Sequence, residues 1–282
     1  MRPVVWLTIV AMIAFAANSL LARLALGSAS LDWASYTTLR ILAGAAVLAL
    51  LVRGRDKAGG SPAGRWPAAV ALLVYALAFS LAYLELGAAT GALILFTSVQ
   101  ATMVGYSLIR GESLTLAEML GFTVAFVAFV YLVLPGVGRP DPTGSLLMAV
   151  SGIAWGIYTL KGRGGGNPLA ATGGNFLYAS VLCVPIGIFA LLAGTATWVG
   201  IFLAVFSGAV TSGLGYVIWY RALAGLTNFQ AALVQLSVPV IAAAGAIVFL
   251  DEAMTVRFAI SGSLVIGGIG LAIMARQKAR AG

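Results

Sequence analysis

The sequence predicts an all-α integral membrane protein with ten transmembrane helices, arranged as two inverted five-helix repeats around a central cavity. Three observations carry that prediction. Of 282 residues, 61% are hydrophobic and 9% are charged, more apolar surface than a water-soluble chain of this length can bury. The apolar residues fall into runs of about 20, the length that crosses bilayer hydrocarbon as a helix. The second half repeats the first after an odd number of runs, and a membrane then holds the two copies upside down relative to each other.

The spans follow in order. Span 1 covers residues 4–26. Its start, Met1-Arg2-Pro3 with the triplet Ala14-Phe15-Ala16, has the form of a cleavable leader, but the segment matches 144–163 in the repeat and is read as a retained span. Span 2 (32–53) precedes the longest loop, from Arg53 to Pro67, and span 3 (65–87) carries Tyr75, Phe79 and Tyr83 four apart on one face. Span 4 (89–109) holds Ser98, Gln100 and Thr102, and span 5 (115–134) follows the Gly111-Glu112 turn. A linker from Pro135 to Thr143 then joins the halves, residues 1–137 and 138–282, which together make one transport domain. Span 6 (144–161) sets Gly152 and Gly156 one turn apart, a pattern that lets helix backbones approach closely. Span 7 (170–193) contains Pro185 and the single cysteine, Cys183, read as a small core residue that can form no intramolecular disulfide. Span 8 (198–223) runs through Gly208, Gly213 and Gly215 to Tyr216, Trp219 and Tyr220. Span 9 (228–250) carries Gln235, Ser237 and Pro239, and span 10 (255–276) closes the second half.

The repeat is visible residue by residue. A shift of 137 places Phe79, Tyr83, Gly87 and Thr90 on Tyr216, Tyr220, Ala224 and Thr227. A shift of 140 places Ala14, Phe15, Ser19, Leu20 and Arg23 on Ala154, Trp155, Thr159, Leu160 and Arg163. The same shift places Ala92, Leu93, Thr97, Glu112 and Thr115 on Ala232, Leu233, Ser237, Glu252 and Thr255.

The formal net charge of +8 is a topology signal. Twelve basic residues, among them Arg2, Arg53, Lys57, Arg110, Arg163, Arg221 and Arg276, lie in one set of loops, against Arg139 and Arg257 in the other. Basic loops stay cytoplasmic, so both termini are expected there. Nucleic-acid binding is disfavoured because no soluble domain presents a basic face. Catalysis is disfavoured too: with no histidine there is no Ser-His-Asp arrangement and no His metal pair, and no span holds two carboxylates. No catalytic residue, metal or cofactor is expected. The run Gly162 to Gly166 lacks the Lys-Ser/Thr ending of a phosphate loop and reads as a connector.

The candidate binding residues are therefore aromatic and uncharged polar. Tyr75, Phe79 and Tyr83 on span 3, Trp155 and Tyr158 on span 6, and Tyr216, Trp219 and Tyr220 on span 8 are either packing or the wall of a shared cavity. The symmetric pairing of Phe79 with Tyr216 and of Tyr83 with Tyr220 favours the cavity. Asn18, Ser98, Gln100 and Gln235 must find partners or line water. Hinges are expected at Gly87, Gly91, Gly213, Gly215 and Pro239, where small or ring-locked residues interrupt the helices. Arg23 and Glu85 sit at outer span ends where snorkelling explains them. Arg40 lies deeper, roughly 12 Å into span 2 by the helical rise, and either meets a substrate carboxylate or pairs with Asp32 or a helix end; the structural role is the favoured one.

The order of Ala14 to Ser19, the Leu39-Arg40 step, the Gly111-Glu112 and Asp251-Glu252 turns, and Thr115 and Thr255 resembles the drug/metabolite transporter superfamily in its ten-helix form with two EamA-like repeats. The likeness runs from Trp6 to Met274 and is closest to the bacterial inner-membrane exporters of aromatic amino acids. It implies a cavity walled by spans 1, 3, 4, 6, 8 and 9, with the 3–4 and 8–9 pairs rocking. Phosphate-carrying relatives use cavity lysines, and this chain has none in those spans. The expected function is alternating-access export of neutral, chiefly aromatic, amino acids across the inner membrane as a uniport, with broad efflux of drugs or aromatic cations by proton antiport as the rival. The expected partners are the amino acid and the lipid bilayer, and the chain is expected to work as a monomer.

Overall fold

The computed structural model describes residues 2–27, 30–55, 63–86, 88–136, 141–163, 166–249 and 254–281. Among these the regular structure is helical, with one isolated antiparallel bridge between Leu31 and Ala196. The helices are α1 (Arg2–Gly27), α2 (Trp33–Arg55), α3 (Trp66–Glu85), α4 (Ala88–Ile109), α5 (Leu116–Val133), α6 (Pro142–Lys161), α7 (Pro168–Leu182), α8 (Val184–Ala193), α9 (Trp198–Phe206), α10 (Gly215–Leu223), α11 (Asn228–Gln235), α12 (Ser237–Phe249) and α13 (Val256–Ala281). A π-helical segment, Ser207–Leu214, joins α9 to α10. Among the described residues nine stretches are long and apolar enough to cross a membrane, and α7 with α8, bent at their junction, makes ten if the pair is one span. The expected hinge Gly87, the loop charges Lys57 and Arg139, the turn Asp251-Glu252 and the 137/138 boundary lie outside the described residues.

Local chemistry sets the helix ends. Pro67, Pro142 and Pro168 open α3, α6 and α7, where their missing N–H costs nothing. Thr115 accepts from the Glu118 amide at 3.2 Å while Glu118 accepts from the Thr115 amide at 2.9 Å, a reciprocal cap that starts α5. Thr227 and Gln230 start α11 in the same way. Span 7 was expected as one helix and is instead bent by 52° at Cys183. Pro185 has no N–H for the carbonyl four residues back, so the ladder breaks there. Span 9 breaks at Leu236 by the same mechanism, since Pro239 cannot bond the Gln235 carbonyl.

The packing has a two-fold pattern. α2 packs on α7, α4 on α11 and α5 on α13, each pair relating spans five apart. The α3–α6 contact is matched by α1–α10, as exchange of the halves requires. Close approach depends on small residues: a Cβ on Gly152 would stand 2.7 Å from that of Ser98, and one on Gly156 would stand 2.9 Å from that of Thr102. Phe15 and Trp155, equivalent in the repeat, meet edge to face with ring centroids 5.2 Å apart at the centre of the bundle.

The two ends of the bundle are distinct. Glu112 with Asn228, Arg163 with Leu223, Arg276 with Ser113, and Gly225 with Val4 gather near both termini, and this end is called the terminal face. At the opposite face Asp32 accepts from the amides of Ala34 (2.9 Å), Ser35 (3.0 Å) and Thr195 (2.9 Å), tying α2 to the turn after α8. Burial alone would raise the Asp32 pKa, but these hydrogen bonds outweigh it and hold the carboxyl below its usual value. Asp32 is thus fully engaged and is not the partner of Arg40.

Candidate substrate pathway

A vestibule of about 460 Å³ enters from the opposite face between α1, α4 and α12. Its wall includes Arg23, Tyr83, Ala92, Pro239 and Arg257, and no acidic side chain is among its described lining. Arg257 stands with its guanidinium carbon 5.2 Å from the centroid of the Tyr131 ring. Beneath the vestibule, and sharing Ser19, Leu95, Phe96 and Val238 with it, is a chamber of about 30 Å³. Six of the expected site residues meet there: Asn18, Tyr75, Phe79, Trp155, Tyr216 and Gln235.

The chamber is mostly an aromatic box. Trp155 lies 5.0 Å from Tyr75 and 4.9 Å from Tyr216 by ring centroids, and Tyr75 is 5.7 Å from Phe79. The four-residue spacing in α3 makes this possible, because it stacks Tyr75, Phe79 and Tyr83 along one face. The Trp155 indole donates to Gln235 Oε1 at 2.6 Å, and the Gln235 amide donates to the Ala231 carbonyl at 2.9 Å, so this amide is pinned across α6 and α11.

Below the box lies a buried polar cluster. Asn18 Oδ1 accepts from Ser207 (2.6 Å), Thr211 (3.2 Å) and Ser212 (3.4 Å), all on the π-helical segment. Tyr36 reaches Ser207 at 3.1 Å. Arg40 donates from Nε to Ser212 at 2.9 Å, and from Nη2 to Tyr216 at 2.9 Å and Tyr75 at 3.3 Å. The wide turns of a π-helix bring three hydroxyls toward one acceptor, a device common at functional sites. Gly208 lets this segment rest on α2, since a Cβ there would stand 2.8 Å from the Arg40 Cα.

Other expected residues lie elsewhere. Tyr83 faces the vestibule, whereas its repeat partner Tyr220 donates to the Tyr158 carbonyl at 2.9 Å and borders a 610 Å³ cavity at the terminal face. Tyr158 packs on Trp155 and Tyr220, and Trp219 packs edge to face on Phe15 at 5.7 Å. Ser98 sits under Gly152, and Gln100 donates to the Ala232 carbonyl at 2.9 Å, joining α4 to α11. Of the expected hinges, Gly91 lies against Met148 and Tyr83, Gly213 near Gly44, and Gly215 against Ala14, all close helix contacts. Pro239 lies just beyond the span 9 break and lines the vestibule.

At the terminal face, beside the 610 Å³ cavity, hydrogen bonds join the helix ends. Glu112 accepts from the amides of Asn228 (3.2 Å) and Phe229 (3.3 Å), from the Asn228 side chain, and from Ser107 at 2.6 Å. A positive φ of 70° at Gly111 turns the chain so that Glu112 reaches the start of α11. Burial raises the Glu112 pKa, but these donors outweigh it and hold the carboxyl below its ordinary 4.5. Arg163 donates to the Leu223 carbonyl at 3.2 Å and to that of Leu226, at the end of α10. Glu118, buried at the start of α5, meets Arg276 at 3.5 Å, an ion pair that staples α5 to α13.

Residues 142–274 match the model of the EamA-like transporter family. Across 99% of this chain and 97% of the other, an uncharacterised protein of Pseudomonas aeruginosa is 46% identical. The chain belongs to the EamA-like transporter family. Within it, the threonine/homoserine exporter RhtA of Escherichia coli K12 is 27% identical over 66% of this chain and 68% of its own length. A solved crystal structure superposes with a TM-score of 0.75 at 19% identity, covering 94% of this chain and 97% of that one, and supports the fold. As an EamA-like transporter the protein is a multi-pass membrane carrier, the frame in which vestibule, box and latched end are read below.

Several elements of this pathway were missed at the sequence level. Phe15, Ser19 and Phe96 line the chamber but resemble ordinary apolar or small span residues in the sequence. Ser207, Thr211 and Ser212 carry a weak signal, three hydroxyls within six residues of a glycine-rich span. Glu112 lies in the Gly111-Glu112 turn, but its partner is 116 residues away in the sequence.

Proposed function

We propose that the protein is an alternating-access exporter of neutral amino acids, aromatic ones first, built of two inverted repeats with both termini in the cytoplasm of a bacterial inner membrane. The observation that carries this reading is the aromatic box with two amide side chains, Asn18 and Gln235, at the closed end of the vestibule. Such a box supplies stacking worth about 0.5–1.5 kcal/mol per ring pair. The amides would exchange their present partners, Trp155 and the Ala231 carbonyl for Gln235, for hydrogen bonds to the polar end of a zwitterion. A vestibule of 460 Å³ falls in the size range of small-molecule sites. The similarity to a threonine/homoserine exporter supports amino acids as the class.

On this reading the arrangement is outward-open, with the Glu112 and Arg163 contacts separating the chamber from the 610 Å³ cavity at the cytoplasmic end. Its counterpart arises when α3–α4 and α9–α12 rock: the Glu112 and Arg163 contacts break, and Arg23 and Tyr83 make the equivalent contacts at the outer end. Uniport is the favoured coupling, because the acids of the described spans are Glu85 at the rim and Glu118 held by Arg276. The two vestibule arginines disfavour the rival reading, since they repel aromatic cations. Counterflow of labelled phenylalanine, tryptophan and threonine in proteoliposomes tests the proposal: saturable exchange independent of a proton gradient is expected. Exchange of a quaternary aromatic cation alone, or a rate abolished by dissipating the gradient, contradicts it.

A further inference from the structure

Arg40 is 1% exposed, yet its charge meets no carboxylate among the described residues, where Arg276 with Glu118 is the ion pair. Its partners are three neutral hydroxyls, from Ser212, Tyr75 and Tyr216. They use the N–H of Nε and both of Nη2. The two N–H groups of Nη1 have no acceptor among the described residues. A guanidinium is always charged, and a buried one is stable only when its charge and its donors are matched. Among the described residues the charge meets neutral hydroxyls and the face of the Tyr75 ring, 5.3 Å from the guanidinium carbon, and Nη1 stays unmatched.

The location says what completes it. Tyr75 and Tyr216, which hold Nη2, also wall the chamber, and Ser212 links Arg40 to Asn18, a third chamber residue. The charge therefore lies one hydroxyl layer beneath the closed end of the vestibule. Arg23 and Arg257 line the way down, so the field over the whole approach favours a negative group. A flat guanidinium with a free amino edge is the natural complement of a carboxylate, which it binds through paired charge-assisted hydrogen bonds.

We propose that Arg40 binds the α-carboxylate of the transported amino acid, with Tyr75 and Tyr216 as hydroxyl partners that re-aim as the anion arrives. This deepens the transport reading above and rests on it. It also explains a selectivity that rings and amides alone do not supply: an amino acid is carried, and the same molecule without its carboxylate is not.

The test compares counterflow of labelled L-phenylalanine with that of its primary amide, phenylalaninamide, in proteoliposomes of the full-length protein. For the wild type the acid is expected to exchange at least about tenfold faster at subsaturating concentration, the loss expected when one charge-assisted pair goes unmade. In Arg40→Gln the acid's KM rises by at least about tenfold and the ratio of acid to amide falls to about one. Because Arg40→Gln risks misfolding, the wild-type ratio is decisive by itself. Acid and amide exchanged equally by the wild type overturn the Arg40 assignment while leaving the carrier intact; no amino-acid flux in the wild type overturns the parent reading and this one with it. Retention of the wild-type ratio by a folded Arg40→Gln protein also overturns the assignment.

Discussion

The two ends of the molecule are built from residues that the repeat pairs, and those residues differ in their contacts. At the face opposite the termini Tyr83 and Arg23 line the 460 Å³ vestibule; at the terminal face their repeat partners, Tyr220 and Arg163, border a 610 Å³ cavity but are bound to the carbonyls of Tyr158, Leu223 and Leu226. Ala92 lines the vestibule, while its partner Ala232 is fully buried. Under the proposed transport cycle the difference means that open and closed are not two chemistries but one set of contacts, made at one end at a time. If so, every substitution at one end has a counterpart at the other with the reverse effect.

The largest effect is expected at Glu112. Glu112→Ala removes a carboxylate that accepts from the start of α11 and from Ser107, about 2 kcal/mol of latch stability, or roughly a 30-fold shift toward the inward-open state. Thiol labelling of Ala232→Cys, against the buried Cys183, should rise accordingly. Unchanged labelling would show that Glu112 is a local cap and not a latch.

Next come the paired arginines. Arg163→Gln loses bonds to two carbonyls and should shift the balance inward by about 1–2 kcal/mol. Arg23→Gln should shift it outward by a similar amount, because in the proposed inward-open state Arg23 would make the equivalent contacts at the other end. Equal signs for the two would break the comparison. Tyr220→Phe removes one hydrogen bond and should shift the balance inward by about 1 kcal/mol, with Tyr83→Phe opposite in sign.

The smallest effect is with pH. The Glu112 carboxyl has a folded value below its ordinary 4.5, so its stabilisation of the latch is fully present above that value and lost as pH falls through the lower one. Labelling of Ala232→Cys should stay flat from about pH 8 to 5 and rise only in stronger acid. A rise near neutrality would place the titrating group elsewhere.

How much of this was legible in the sequence depended on range. Spans were legible because hydropathy and length are local, and so was the chamber face of α3, since Tyr75, Phe79 and Tyr83 announce it by spacing alone. The break at Cys183 was half legible: Pro185 was in view, but whether a proline bends or severs a helix is decided by packing. Arg40 shows the limit. Its depth was readable, but its partners come from α3, the π-helical segment and α10, 35 and more residues away. Of the two structural partners offered for it, Asp32 or a helix end, Asp32 is taken up by backbone amides. The π-helix itself leaves no mark beyond small residues, and without it Asn18 has no obvious partners.

The proposed reciprocity of the two ends can be measured directly by labelling Ala92→Cys and Ala232→Cys in parallel, with and without saturating amino acid on the side of the terminal face. The account predicts that the two respond in opposite directions, Ala232 gaining access as Ala92 loses it. Ala92 open and Ala232 shielded under every condition would mean a fixed vestibule, and would contradict alternating access by this protein.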